Sequence, residues 1–169
     1  MNLHNGRKLT SEHYGEDLDL HRINWYYPSG TLRYQGAFTE TGKRIIDTWF
    51  YPVSQITKTE IAYFENGAIQ SNVAYDTIGH LSHEEYFTKD SKKIMTFNTV
   101  VLADGTSTYA PIEAFNDKGE PTLQKGTGYL DIYSYNDNEK KLMSHQIYKD
   151  YLLDGITTET DAVTGKSDY

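Results

Sequence analysis

Tyr26-Tyr27-Pro28-Ser29-Gly30-Thr31-Leu32 can be laid over Tyr63-Phe64-Glu65-Asn66-Gly67-Ala68-Ile69. Both hold an aromatic pair, a turn with glycine in the same place, and an aliphatic residue five positions after the second aromatic. Aromatic and β-branched runs suit strands, and glycine between them suits a chain reversal, so the stretch reads as a hairpin. It recurs. Phe50-Tyr51-Pro52-Val53-Ser54-Gln55-Ile56 is a copy with serine for glycine, the runs Tyr86 to Ile94 and Ser134 to Leu142 have a turn two residues longer, and Ala114 to Gly119 keeps the aromatic and the turn. Measured on the second aromatic the intervals are 24, 13, 23, 28 and 20 residues, which describes a degenerate repeat with insertions.

Glycine turns continue along the chain at Gly42, Gly79, Gly105, Gly119 and Gly155. Asn66-Gly67 and Asp104-Gly105 are the sharpest, since two-residue primed turns need positive φ at both central positions. Strands are expected near residues 22–28, 31–38, 45–51, 56–64, 68–75, 80–87, 94–102, 108–115, 129–135, 142–149 and 155–160. The best helical competitor, Asn138 to Tyr151, reads equally well as a strand. The fold class is therefore all-β, an antiparallel meander of repeated hairpins. Residues 1–20 form a polar N-terminal segment, 21–160 a single repeat domain and 161–169 a C-terminal tail. Period-two alternation would set Tyr27, Phe64, Phe87, Phe115 and Tyr135 in one row, with Tyr26, Tyr63 and Tyr86 alternating against it.

The chain has 169 residues, a formal charge of -8 and no cysteine. An acidic balance argues against nucleic acid and anionic membrane, because affinity for phosphates comes from Lys and Arg. Cysteine absence removes disulfides, thiol nucleophiles and thiolate metal sites. Fifteen tyrosines suit half-exposed sheet surfaces, where the ring packs and the hydroxyl stays wet.

The pattern aromatic-Tyr-x-x-Gly-x-aliphatic resembles the MORN-repeat variant of YwqK-type bacterial antitoxin proteins. Residues 126–155 match it best, from Gly126-Thr127-Gly128-Tyr129 to Leu153-Asp154-Gly155, and Trp25 to Lys43 nearly as well. The resemblance covers roughly residues 23–160. It implies an elongated, curled antiparallel β-meander that acts by binding, as an antitoxin or immunity protein that occludes a toxin. Ser54 in place of glycine and glycine-free turns at 91–93 and 138–140 depart from that pattern.

Side chains that could carry chemistry have simpler explanations. His80 and His83 are three apart, which in a strand sends them to opposite faces and away from a shared metal. His13 and His21 with Glu12, Asp17 and Asp19 lie in a solvated acidic segment. Gly126-Thr127-Gly128 lacks the third glycine and the helix of a dinucleotide loop. Asn136-Asp137-Asn138-Glu139 lacks the glycine and terminal glutamate of a calcium loop. No Gly-x-Ser-x-Gly occurs, and pairs such as Glu84 with Glu85 arise readily among 24 acidic residues. The expectation is a non-catalytic module without catalytic residues, metal or cofactor.

The expected binding residues are Tyr26, Tyr63, Glu65, Tyr86, Asp131 and Tyr133. The expected partner is a protein, a basic toxin domain that an acidic surface would steer and hold. The alternative is a repeat scaffold or surface protein that binds other proteins or glycans, and a hydrolase with paired carboxylates ranks below both. A monomer or weak homodimer is expected, because meander edges invite pairing. Localisation is expected to be cytoplasmic, or periplasmic if a leader has been removed.

Overall fold

In the computed structural model, backbone conformation is described for all residues except 1, 5–6, 15–19, 137–138, 155–157, 161–166 and 169. Side chains are described for 21–133 and 142–154. The expected acidic cluster around His13, the turn at 136–139, the start of the 155–160 strand and most of the tail lie outside those residues. The chain divides into two compact units, Met1–Lys92 and Lys93–Tyr169. Both are all-β antiparallel meanders, and the described residues contain no helix.

Unit 1 consists of β1 (Asn2–His4), β2 (Arg7–Tyr14), β3 (Leu20–Tyr26), β4 (Leu32–Thr39), β5 (Arg44–Phe50), β6 (Thr57–Tyr63), β7 (Ile69–Tyr75) and β8 (Leu81–Phe87), each paired with the next. Two of these strands precede residue 21. The turns follow one scheme. In the β3–β4 turn the Tyr27 amide donates to Thr31 O and the Gly30 amide to Tyr27 O, and the same pair of bonds recurs from Thr39, Phe64, Asp76 and Thr88. Each is a three-residue loop whose last residue takes positive φ, here Gly30, Gly42, Gly67, Gly79 or Ser91. The two-residue turn expected at Asn66-Gly67 is thus a longer one. Asn66 stays at negative φ, and its side chain accepts from the Ala68 amide. The turn from Tyr51 is one residue longer again, so Gln55, not Ser54, takes the positive φ.

Because hairpins alternate in direction, turns at one end of the unit recur every second strand. Neighbouring same-end turns are stitched together. The Tyr27 phenol donates to Phe50 O at 2.9 Å and the Tyr51 phenol to Tyr75 O at 2.9 Å. The Gln55 amide accepts from Leu32 N and donates to Leu32 O. At the other end Asn66 Nδ2 donates to Lys89 O. Tyr27 and Tyr51 therefore share one end, whereas Phe64 and Phe87 lie at the opposite end. The expected single row through Tyr27, Phe64 and Phe87 therefore does not form.

Cross-strand register defines two faces. One carries the row Trp25, Tyr34, Trp49, Thr59, Ala74, His83 and, beside it, Ile23, Gly36, Asp47, Ile61, Asn72, Glu85. The opposite face carries Asn24, Gln35, Thr48, Glu60, Val73, Glu84 and Arg22, Ala37, Ile46, Ala62, Ser71, Tyr86. The deepest side chain on the first face is Asp47, 2% exposed.

Unit 2 consists of β9 (Lys93–Val101), β10 (Ser107–Phe115), β11 (Pro121–Gln124), β12 (Thr127–Asn136), β13 (Glu139–Lys149), β14 (Leu152–Leu153), β15 (Thr158–Thr160) and β16 (Ser167–Asp168). Neighbours again pair antiparallel, and β13 takes both β14 and β15. Its core is Ala114, Leu123 and Leu130, packed with Met95, Phe97 and Tyr148. The turns from Leu102 and Asn116 repeat the three-residue scheme, so Asp104-Gly105 is not a two-residue turn either. The two-residue primed geometry falls at Lys125-Gly126 and Asp150-Tyr151, where all four residues have positive φ. These turns interlock: the Tyr151 amide donates to Gly126 O, the Asp150 amide to Thr127 Oγ1, and a Cβ on Gly126 would overlap the Tyr151 ring.

Candidate functional site

Three groups of polar and aromatic side chains compete for a functional role. The first surrounds Asp47. Its strand, Arg44–Phe50, is otherwise apolar on that face, so the carboxylate is buried and must find donors. Tyr34 Oη donates to Oδ1 at 2.5 Å, Tyr63 Oη donates to Oδ2 at 2.9 Å, and Arg44 Nη1 lies 3.2 Å from Oδ2. Gly36 makes this possible, since a Cβ there would overlap the Tyr34 phenol that crosses it. The Tyr34 ring lies 4.5 Å from Trp25 and 5.2 Å from Trp49, centroid to centroid, and Arg44 covers Phe38 and Tyr63. Burial, then the Asp47 bond and charge, push the Tyr34 phenol well above its ordinary value. Burial likewise raises Tyr63, with the Arg44 hydrogen bond opposing. Both oxygens of the carboxylate face protein donors and the group is buried, so it serves to hold the unit together.

The second group lies on one face of β12 and β13. Register sets Tyr129 opposite Ile147, Asp131 opposite His145 and Tyr133 opposite Leu142. His145 Nδ1 and Asp131 Oδ1 lie 2.6 Å apart, a hydrogen-bonded pair across the two strands. The Tyr129 ring packs on the imidazole at 5.2 Å, and Tyr133 Oη donates to Asp131 Oδ2 at 3.4 Å. Tyr129, Tyr133, Leu142 and Ile147 are 37–41% exposed. Two tyrosines, held by His145 and Asp131, and two aliphatic side chains are thus left open to solvent.

The third is a hollow of about 300 Å³ between same-end turns of unit 1, lined by Lys43, Glu65, Asn66 and Lys89. Lys43 Nζ is 3.9 Å from Glu65 Oε1, and both side chains are exposed. A wet pair of this kind contributes little.

The expected site residues scatter over these features. Asp131 and Tyr133 meet in the second group, which also holds Tyr129 and His145, missed in the sequence. Tyr63 belongs to the Asp47 group and Glu65 to the hollow. Tyr26 ends β3, opposite Leu32, at the other end of the unit from Tyr63. Tyr86 pairs with Ser71 on the face opposite Asp47, so Tyr63 and Tyr86 do not share a strip. His80 sits in a turn beside Asp76, whereas His83 lies in β8 beside Glu85. No three His, Asp or Glu residues converge as metal ligands among the described residues.

Both units belong to one architectural class, the antiparallel hairpin meander. Neither a protein-family model nor a curated protein sequence matches the chain. Among solved structures it is similar to part of one described as "Crystal structure of GtfA/B complex bound to UDP and GlcNAc", at 11% identity, over 66% of this chain and 25% of that one, with a TM-score of 0.36. The chain therefore spans about a quarter of that structure's length, and so slight a likeness carries no argument about activity.

Proposed function

We propose that the chain is a non-catalytic protein-binding module, acting as an antitoxin or immunity protein that binds and occludes a bacterial toxin. The observation that carries the binding part is the open face of β12 and β13. Tyr129 and Tyr133 are held by His145 and Asp131 and bordered by Leu142 and Ile147. Rigid, half-exposed tyrosines are effective interface anchors because little side-chain freedom is lost on binding. The antitoxin part rests on the resemblance of the repeat, and the -8 charge favours a basic toxin.

The test is co-expression with the product of an adjacent toxin-like reading frame. Wild-type protein should protect growth and co-purify in a salt-sensitive way, and Tyr129→Ala with Tyr133→Ala should abolish both. Undiminished protection by a folded double variant would move the interface elsewhere. A chain that protects against no neighbouring gene product would sink the antitoxin reading.

A further inference from the structure

On the face of unit 1 opposite Asp47, the row Thr48, Glu60, Val73, Glu84 places two carboxylates on the strands flanking Val73. At ordinary strand spacing their backbones are on the order of 10 Å apart. Tyr75, two residues beyond Val73, faces the same way: after burial itself, Glu60 and then Glu84 push its phenol up. Burial and then the neighbouring Glu84 likewise push the Tyr86 phenol up. All five side chains are half-buried.

This arrangement does not serve the sheet. Two like charges on one face repel, and among the described residues neither Glu60 nor Glu84 is paired with a Lys, Arg or His. The nearest same-face cation in sequence, Lys58, lies over the Tyr51 ring at 5.9 Å. Arg22, on β3, stands five strands from Tyr86 on β8 in its row, next to Ala37. The row Ile46, Ala62, Ser71, Tyr86 sets two small side chains between two large ones, a shallow trough beside the carboxylates.

We propose that this patch docks a basic protein segment, seating an Arg or Lys side chain between Glu60 and Glu84 against the rings of Tyr75 and Tyr86. Carboxylates bind guanidinium in a fork and aromatic faces attract the same cation. The trough accommodates its aliphatic stem. The inference rests on the protein-binding reading above and deepens it by assigning partner chemistry to unit 1.

The experiment titrates the full chain with an acetylated, amidated hexa-arginine peptide by calorimetry at low salt. Glu60→Gln with Glu84→Gln should weaken binding about tenfold. Glu40→Gln with Asp90→Asn removes the same charge from exposed turns of unit 1 and should change affinity less than about twofold. Tyr75→Phe, which keeps the ring, should retain affinity, and Tyr75→Ala should reduce it. Equal weakening by the two double variants would overturn the patch, leaving diffuse charge alone. Absence of wild-type binding would overturn it as well. Growth protection that needs Tyr129 and Tyr133 but not Glu60 and Glu84 would reject the patch and leave the antitoxin reading standing.

Discussion

Unit 1 is organised around a charge and unit 2 around hydrocarbon. In unit 1 the least accessible group on its face is the Asp47 carboxylate, held by a guanidinium and two phenols, one of which, Tyr34, packs against both tryptophans. In unit 2 it is Leu123, 1% exposed, packed on Ala114 and Leu130. Either solution can seal a hairpin sheet, but they fail differently. A polar centre depends on every partner being present, since an orphaned buried donor costs more than its bond contributed. An apolar centre depends on shape, so glycine is fixed where backbones approach.

Substitutions can break each solution in turn. The largest effect is expected from Gly128→Ala. Its φ is 132°, and a Cβ would overlap Thr122 O and the Leu123 backbone, so neither side can yield. A loss of more than about 3 kcal/mol is expected in urea unfolding, with faster amide exchange confined first to unit 2. Asp47→Ala should follow at about 3 kcal/mol, because it orphans the buried Tyr34 phenol and takes a partner from Tyr63 and Arg44, and it should reverse the exchange pattern. If Asp47→Ala were as mild as a surface change, the carboxylate would not be the centre of unit 1.

Alkaline pH sharpens the contrast without mutation. Tyr34, Tyr63, Tyr75 and Tyr86 in unit 1 all have raised phenol values, mainly through burial, as does Tyr148 in unit 2. Above the ordinary value of 10.0 the unfolded chain releases protons that the folded one keeps. That stability is complete below pH about 10 and is lost as pH rises through the folded values. Both tryptophans, Trp25 and Trp49, lie in unit 1, so fluorescence-monitored melts from pH 9 to 11 should report its falling midpoint directly. The smallest effect belongs to Gly30→Ala. The position has positive φ but open space around it, so the expected loss is about 1 kcal/mol in urea unfolding, from backbone strain alone.

The meander was legible because glycine and aromatics mark hairpins locally. What local pattern could not carry was turn length and face. Asn66-Gly67 suits a two-residue turn by composition, yet the hydrogen bonds from Phe64 enclose three residues and Asn66 acts through its side chain. Lys125-Gly126 makes the tight turn, although Lys is a poor signal for positive φ. Strand β11 has four residues and begins at Pro121, too short for alternation to register. Of the candidate site, Asp131 and Tyr133 were readable as alternating partners in one strand. His145 was not, because its pairing with Asp131 depends on register across a hairpin. Asp47 did leave a trace, a lone acid in the run Arg44-Ile45-Ile46-Asp47-Thr48-Trp49-Phe50.

The phenol stitches from Tyr27 to Phe50 and from Tyr51 to Tyr75 span 23 and 24 residues, two strands at a time. They set the size of change that such a chain can absorb. Gaining or losing one pair of strands returns each turn to its own end and each side chain to its own face, with a tyrosine ready to meet the next carbonyl. Gaining or losing a single strand reverses the direction of everything that follows. In unit 1, length variation among descendants of such a sequence should come in steps of about two dozen residues.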